Sequence, residues 1–216
     1  MLLIESISDY SKKDIDVGKT PIDVYRLSSC IREAFCLSYA LRKDNNLFLY
    51  VEKNHSLIRF DGKELQYLGP DERSETLLLM KALDEIRKLN SFNINEWRKS
   101  TPGIFVRKFS DANSFMSYYK KIANHIGFIV KENSIEDQKK VNFFEINQKP
   151  IEIMDNDFFI IPTYTLRDGI SRGIELFKKL NNTKLISLSK IKNVEDKILY
   201  INFRKDQQNT YNSLGK

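Results

Sequence analysis

IRFDGKELQYLGPDERSETLLLMKALDEI, residues 58–86, decides the fold class. It reads as extended chain, a broken turn and a helix in immediate succession. LIRF (57–60) and ELQYL (64–68) flank Asp61-Gly62, a turn dipeptide, and predict a hairpin. Gly69-Pro70 breaks the second strand. Asp71 is placed to cap the following helix, and Glu72 suits the positive end of its dipole. Leu79, Ala82, Leu83 and Ile86 then continue one apolar face. Arg73 is left over, because a cation in a first helical turn is unfavourable. It is a candidate either for an ion pair with Glu72 or a neighbour, or for contact with a phosphate.

Working outward, strands and helices alternate along the chain. LLIESI (2–7) is a short strand, and 8–20 is a polar loop. Residues 22–42 take a helical period through Leu27, Ile31, Ala34, Phe35, Ser38 and Leu41. LFLYV (47–51) is a buried-type strand. Residues 91–101 are polar and read as exposed, IFVRKF (104–109) as a strand, and 111–124 as a helix with Asp111 as its cap. GFIVKE (127–132), VNFFEI (141–146), DFFIIP (157–162) and KLISLS (184–189) complete the predicted strands. A helix is expected over 168–180, and Ile191, Val194, Ile198 and Ile201 space out a terminal one. This alternation predicts an α/β domain with a mainly parallel sheet. No repeat or linker divides the chain. One domain over 1–206 is expected, with 207–216 as a disordered tail.

Composition narrows the class. With 41% hydrophobic residues in 216, a packed core is available. Lys and Arg number 35 against 29 acidic residues, net +6, which suits a polyanion such as RNA and also an evenly mixed basic surface. Cys30 and Cys36 lie six apart in a helical pattern, where their side chains diverge, so two free thiols and a reducing, cytoplasmic compartment are expected. The opening MLLIESISDY lacks a signal-peptide pattern, and no window is apolar enough to span a membrane. His55 and His125 have no partner at zinc spacing, so no metal is expected. Phosphate-loop, dinucleotide and nucleophile-elbow motifs are absent.

Four stretches together carry a resemblance. REAFCLSYALRKD (32–44), IRFDGKELQYLGPDERSE (58–75), WRKSTPGIFVRK (97–108) and ISLS (186–189) resemble, in order and spacing, the archaeal tRNA pseudouridine(54) N1-methyltransferases of the SPOUT class. The likeness covers residues 22–110 well and resumes more weakly over 157–206. It implies a SPOUT-like α/β sheet with a C-terminal trefoil knot, S-adenosylmethionine as cofactor, a homodimer, and methyl transfer to N1 of pseudouridine in the tRNA T-loop. Ile161, Pro162, Ile186, Ser187, Leu188 and Ser189 correspond to cofactor loops. Arg26, Arg73, Arg107 and Lys108 are the RNA-binding candidates, Tyr164 a stacking candidate and Asp23 a proton acceptor; no catalytic residue is assigned.

The chain also departs from the family pattern. Pro162-Thr163-Tyr164 stands where the family has Gly-Asp-His, and Asp196-Lys197-Ile198 where it has Asn-His-Cys. Its Arg-x-Asp element is replaced by Asp23-Val24-Tyr25, with Arg26 following. Glycine admits close backbone approach, whereas proline removes a donor. The alternative reading is therefore a knotted RNA-binding or dimerisation protein without catalysis. A preformed cleft between 160–164 and 186–191 would favour the enzyme; its filling by Pro162, Tyr164 or Lys197 would favour the binding module.

Overall fold

The structure, a computed structural model, describes residues 1–89, 95–123, 127–131, 153–154, 157–163, 177–178, 180, 183–188 and 191–214. The elements in chain order are β1 (Leu2–Ile4), α1 (Lys12–Asp16), α2 (Ile22–Phe35), β2 (Asn46–Val51), a 3₁₀ turn (Glu52–Asn54) and β3 (Ser56–Asp61). There follow α3 (Glu72–Lys88), β4 (Arg98–Thr101), β5 (Ile104–Lys108), α4 (Ala112–Ile122), β6 (Gly127–Lys131), β7 (Phe158–Pro162), β8 (Thr183–Ser187) and α5 (Val194–Leu214). The strands form one mixed sheet in the order β4-β5-β3-β2-β1-β7-β6-β8. From β2 to β8 the pairings are all parallel, while β3, β5 and β4 extend the sheet antiparallel beyond β2.

Strand alternation divides the core between the two faces. Leu49, Ile58, Phe60, Ile104 and Val106 point to one face, where apolar stripes of α2, α3 and α5 cover them. Phe48, Tyr50, Leu57 and Ile160 point to the other, against Phe115, Met116 and Tyr119 of α4. There the Tyr50 and Phe115 rings stack with centroids 3.7 Å apart.

Five expectations are corrected. The helix over 22–42 stops at Phe35, because its last carbonyls are taken from outside the helix. Asn202 Nδ2 donates to Glu33 O (2.8 Å), Asn45 Nδ2 to Ala34 O (2.7 Å) and the Arg42 N–H to Phe35 O (2.7 Å). The 57–68 hairpin does not form. β3 pairs instead with β2 and β5, and residues 64–66 cross the Pro102-Gly103 turn, where Gln66 N–H donates to Pro102 O. A Cβ on Gly103 (φ +78°) would lie inside contact distance of Leu65 main chain, which fixes glycine there. The 8–20 loop contains α1, opened by a Ser11–Asp14 capping box. The polar 98–101 segment is edge strand β4. Helix α5 runs to Leu214, through most of the segment expected to be a disordered tail. The strand expected at 141–146 and most of the helix expected at 168–180 lie outside the described residues.

Candidate active site at the ends of the parallel strands

In open α/β sheets, ligands bind beyond the carboxyl ends of strands where the connection order reverses. Here the chain steps inward from β6 to β7, then back across β6 to β8 at the sheet edge. Ile129 lies opposite both Ile160 and Leu185, so the next rows bring Ile161 level with Ile186 and Pro162 level with Ser187. Four of the six cofactor candidates therefore arrive at one edge in two adjacent rows. Ile161, Pro162, Ile186 and Leu188 are buried. Ser189 and Tyr164 lie outside the described residues, and with them much of the anticipated 160–164/186–191 cleft.

The main chain at this edge is partly committed. Thr163 N–H and Oγ1 both donate to Leu3 O (3.0 and 2.9 Å), and Ile191 N–H donates to Leu188 O (2.9 Å). Among the described strands β8 lies at the sheet edge, so alternate main-chain groups point away from β6. Those groups suit a ligand recognised by backbone, while Ile186 and Leu188 themselves pack into the core. Pro162 contributes no donor. Helix α2 starts at the same end: Asp23 Oδ2 accepts from the Ser8 N–H (2.7 Å), four residues beyond β1. Asp23 and the exposed Arg26 are thus brought to the edge that holds Pro162 and Leu188.

The GPDERSE turn lies at the opposite end. The Cys36 thiol, at the C-terminus of α2, approaches Gly69 O at 3.8 Å. Asp71 caps α3 as expected, accepting from Ser74 N–H (2.9 Å). Arg73 pairs with Asp16 of α1 (Nη2–Oδ1 3.0 Å) rather than with Glu72, and both side chains are more than two-fifths exposed. The structure therefore separates Arg73 from Arg26 by the length of α2. Sequence reasoning missed Glu75 in this turn. It is fully buried, neither carboxylate oxygen has a hydrogen-bond partner among the described residues, and burial pushes its pKa up to about 7 against the opposing pull of Arg32. Burial, with Glu75 nearby, also pushes the Cys36 thiol up to about 11. Both cysteines are free.

Arg107 and Lys108 lie on opposite faces of β5. Arg107 shares a face with Phe105 and sits against three rings, Tyr118 at 4.5 Å, Phe109 at 4.9 Å and Trp97 at 5.9 Å, while Lys108 follows Ile104 and Val106. Burial lowers the Arg107 pKa. His55 Nδ1 meets the Tyr50 hydroxyl at 3.1 Å.

A half-open cavity of about 350 Å³ lies where the parallel strands begin, away from the cofactor candidates except Ile161. Phe48, Phe158, Arg59, Ile198 and Asn202 are among its lining residues. Among the described residues no three His, Cys, Asp or Glu side chains gather as a metal site, and no helix is long and apolar enough to cross a membrane.

A model of the putative SAM-dependent RNA methyltransferase family matches residues 6–157. The tRNA (pseudouridine(54)-N(1))-methyltransferase of Methanocaldococcus jannaschii is 30% identical over 187 residues, covering 84% of this chain and 81% of the relative. That of Methanococcoides burtonii is 26% identical over 186 residues, 85% of this chain and 81% of the relative. The Haloferax volcanii enzyme of the same name is 36% identical over 100 residues, 46% of this chain and 48% of the relative.

Proposed function

The chain belongs to the family of putative SAM-dependent RNA methyltransferases, and from that premise we propose that it methylates N1 of pseudouridine 54 in the T-loop of tRNA. The observation that carries the reading is the convergence of β7, β8 and the start of α2 at one edge of the parallel block. S-adenosylmethionine supplies a methyl group already activated on a sulfonium. Main-chain groups of Ser187, Leu188 and Ser189 would hold the cofactor, with Ile161, Pro162 and Ile186 as its apolar surround. Arg26 would hold substrate phosphate beside it, and Asp23 would accept the N1 proton as the N1–methyl bond forms and the sulfur–methyl bond breaks, leaving S-adenosylhomocysteine. Alignment of acceptor nitrogen with donor carbon supplies much of the acceleration.

We further propose that residues 1–214 act as one domain whose segment from β6 to α5 is threaded as a trefoil knot, a reading supported by the return of the chain across β6. The protein works as a cytoplasmic homodimer. Leu199 and Phe203, 48% and 52% exposed and one turn apart on α5, leave an apolar stripe of the kind a partner subunit covers.

The test is titration with S-adenosylmethionine and S-adenosylhomocysteine, followed by transfer of labelled methyl to tRNA carrying pseudouridine or uridine at position 54. Saturable binding and pseudouridine-dependent transfer are expected. A folded protein that binds neither ligand and transfers nothing overturns the reading. The buried Pro162 favours one alternative, RNA binding without methyl transfer. That alternative gains if tRNA binds while both cofactor forms do not.

A further inference from the structure

On the sheet face that α4 covers only in part, strand register lines up one continuous row. Lys99 of β4 lies opposite Phe105 of β5, Phe105 opposite Arg59 of β3, and Arg59 opposite Phe48 of β2. Residues directly opposite share a face, so cation and ring alternate across four strands. The contacts follow the register. Lys99 Nζ is 5.8 Å from the Phe105 centroid, and the Arg59 guanidinium is 5.9 Å from Phe105 and 6.0 Å from Phe48. Arg107 stands two residues along β5 from Phe105 on the same face. Two cations, Lys99 and Arg59, thus flank one ring, while Arg107 packs on Tyr118, Phe109 and Trp97 instead.

We propose that this row is a second RNA-binding surface, which holds the phosphate backbone of the tRNA substrate at a point remote from the methyl-transfer edge. The proposal rests on the RNA methyltransferase reading above. Lys99 and Arg59 are carried by strands two places apart, about 10 Å between axes, which lets them take oxygens of neighbouring phosphates. Packing against Phe105 limits how far both chains can swing, so less freedom is lost when a phosphate binds.

The local carboxylates offset the row only in part, and Lys99 least. Asp61 accepts from both Arg59 and the Lys63 N–H, and its side chain is only 13% exposed, so this pair offsets part of the Arg59 charge and holds the guanidinium in place. Glu64 reaches Lys99 only at 3.8 Å, with both side chains about half exposed, a contact that water and salt weaken. Arg59 Nε donates to Asn46 Oδ1 and Nη2 to Asp61, while Nη1 makes no hydrogen bond among the described residues. The occupant that fits is a polyanion of regularly spaced phosphates. Lys99, about half exposed, and Arg59, about one-third exposed, present this charge to solvent, and in a family that acts on RNA the occupant is the substrate itself.

Full-length wild type, Lys99→Glu, Phe105→Leu and the charge-matched control Lys81→Glu on the exposed side of α3 would be titrated with tRNA across a salt series, and with S-adenosylhomocysteine. Lys99→Glu is expected to lower tRNA affinity about tenfold at 0.1 M salt and to make the salt slope shallower by about one. Phe105→Leu should lower affinity about threefold by releasing both cations. The Lys81 control should match wild type, and S-adenosylhomocysteine affinity should be unchanged throughout. Wild-type tRNA affinity and slope in both row variants, or an equal loss in the Lys81 control, overturns the surface alone. Failure of wild-type protein to bind tRNA at any salt overturns the RNA reading, and the surface with it.

Discussion

Replacing Glu75 with glutamine should stabilise the protein, and only above mildly acidic pH. The carboxylate is buried on α3 between Arg32 of α2 and the acidic residues Asp71 and Glu33, and it lacks a hydrogen-bond partner among the described residues. The nearby Ser28 hydroxyl is committed to the Tyr25 carbonyl at 2.7 Å. The folded-state pKa rises from 4.5 to about 7. Below pH 4.5 the acid is protonated in both folded and unfolded chains, and it contributes no pH dependence. Between 4.5 and 7 the unfolded chain has released the proton while the folded chain retains it, so stability falls as pH rises. Above 7 both states are ionised and the penalty is constant. A shift of this size corresponds to about 3 kcal/mol. Glutamine keeps the shape of the neutral acid and cannot ionise. Denaturant unfolding of wild type and Glu75→Gln from pH 4 to 8.5 should therefore show near-equal stability at the acid end. A gap of about 3 kcal/mol should open by pH 8, or about 6–12 °C in Tm for a chain of this size. Parallel profiles across the whole range would refute the buried, unpaired state of Glu75. A variant less stable than wild type at pH 8 would mean that the ionised carboxylate is satisfied in the folded protein.

Three further substitutions follow from the packing. Asn202→Ala removes the donor to Glu33 O and the acceptor for Asn45 Nδ2, and should cost about 2–3 kcal/mol, read by denaturant unfolding. Gly103→Ala meets both a positive φ and the Leu65 main chain, so the expected loss exceeds about 2 kcal/mol; a near-neutral result would show that the 64–66 crossing can move aside. Arg73→Ala breaks only an exposed pair with Asp16 and should cost less than about 1 kcal/mol, while tRNA affinity falls if Arg73 meets phosphate; unchanged affinity would leave it as a brace between α1 and α3.

What the sequence revealed follows the range of the forces involved. The Asp71 and Asp111 caps were legible because each carboxylate serves an N–H three residues away. The end of α2 was not legible, because the amide that closes it comes from Asn202, 169 residues distant. Asp61-Gly62 is a good hairpin dipeptide, and Gly62 does turn the chain. The partner that β3 takes is β5, chosen by apolar residues some 45 positions downstream. β4 carried no apolar alternation, since an edge strand of Arg98, Lys99, Ser100 and Thr101 keeps most of its surface in water.

The site itself shows the same division. Ile186–Ser189 stood out as a motif, and the structure sets Ile186 and Ser187 in register with Ile161 and Pro162. The family model, by contrast, stops at residue 157, before β7, β8 and α5. A pocket read by main-chain groups, as proposed for these strands, would constrain strand positions more than side-chain identities. The antiparallel half has no such freedom. Gly103 must let Leu65 pass, and Phe105 must hold two cations apart. The family model accordingly covers the antiparallel half and β6, while β7, β8 and α5 lie beyond its end.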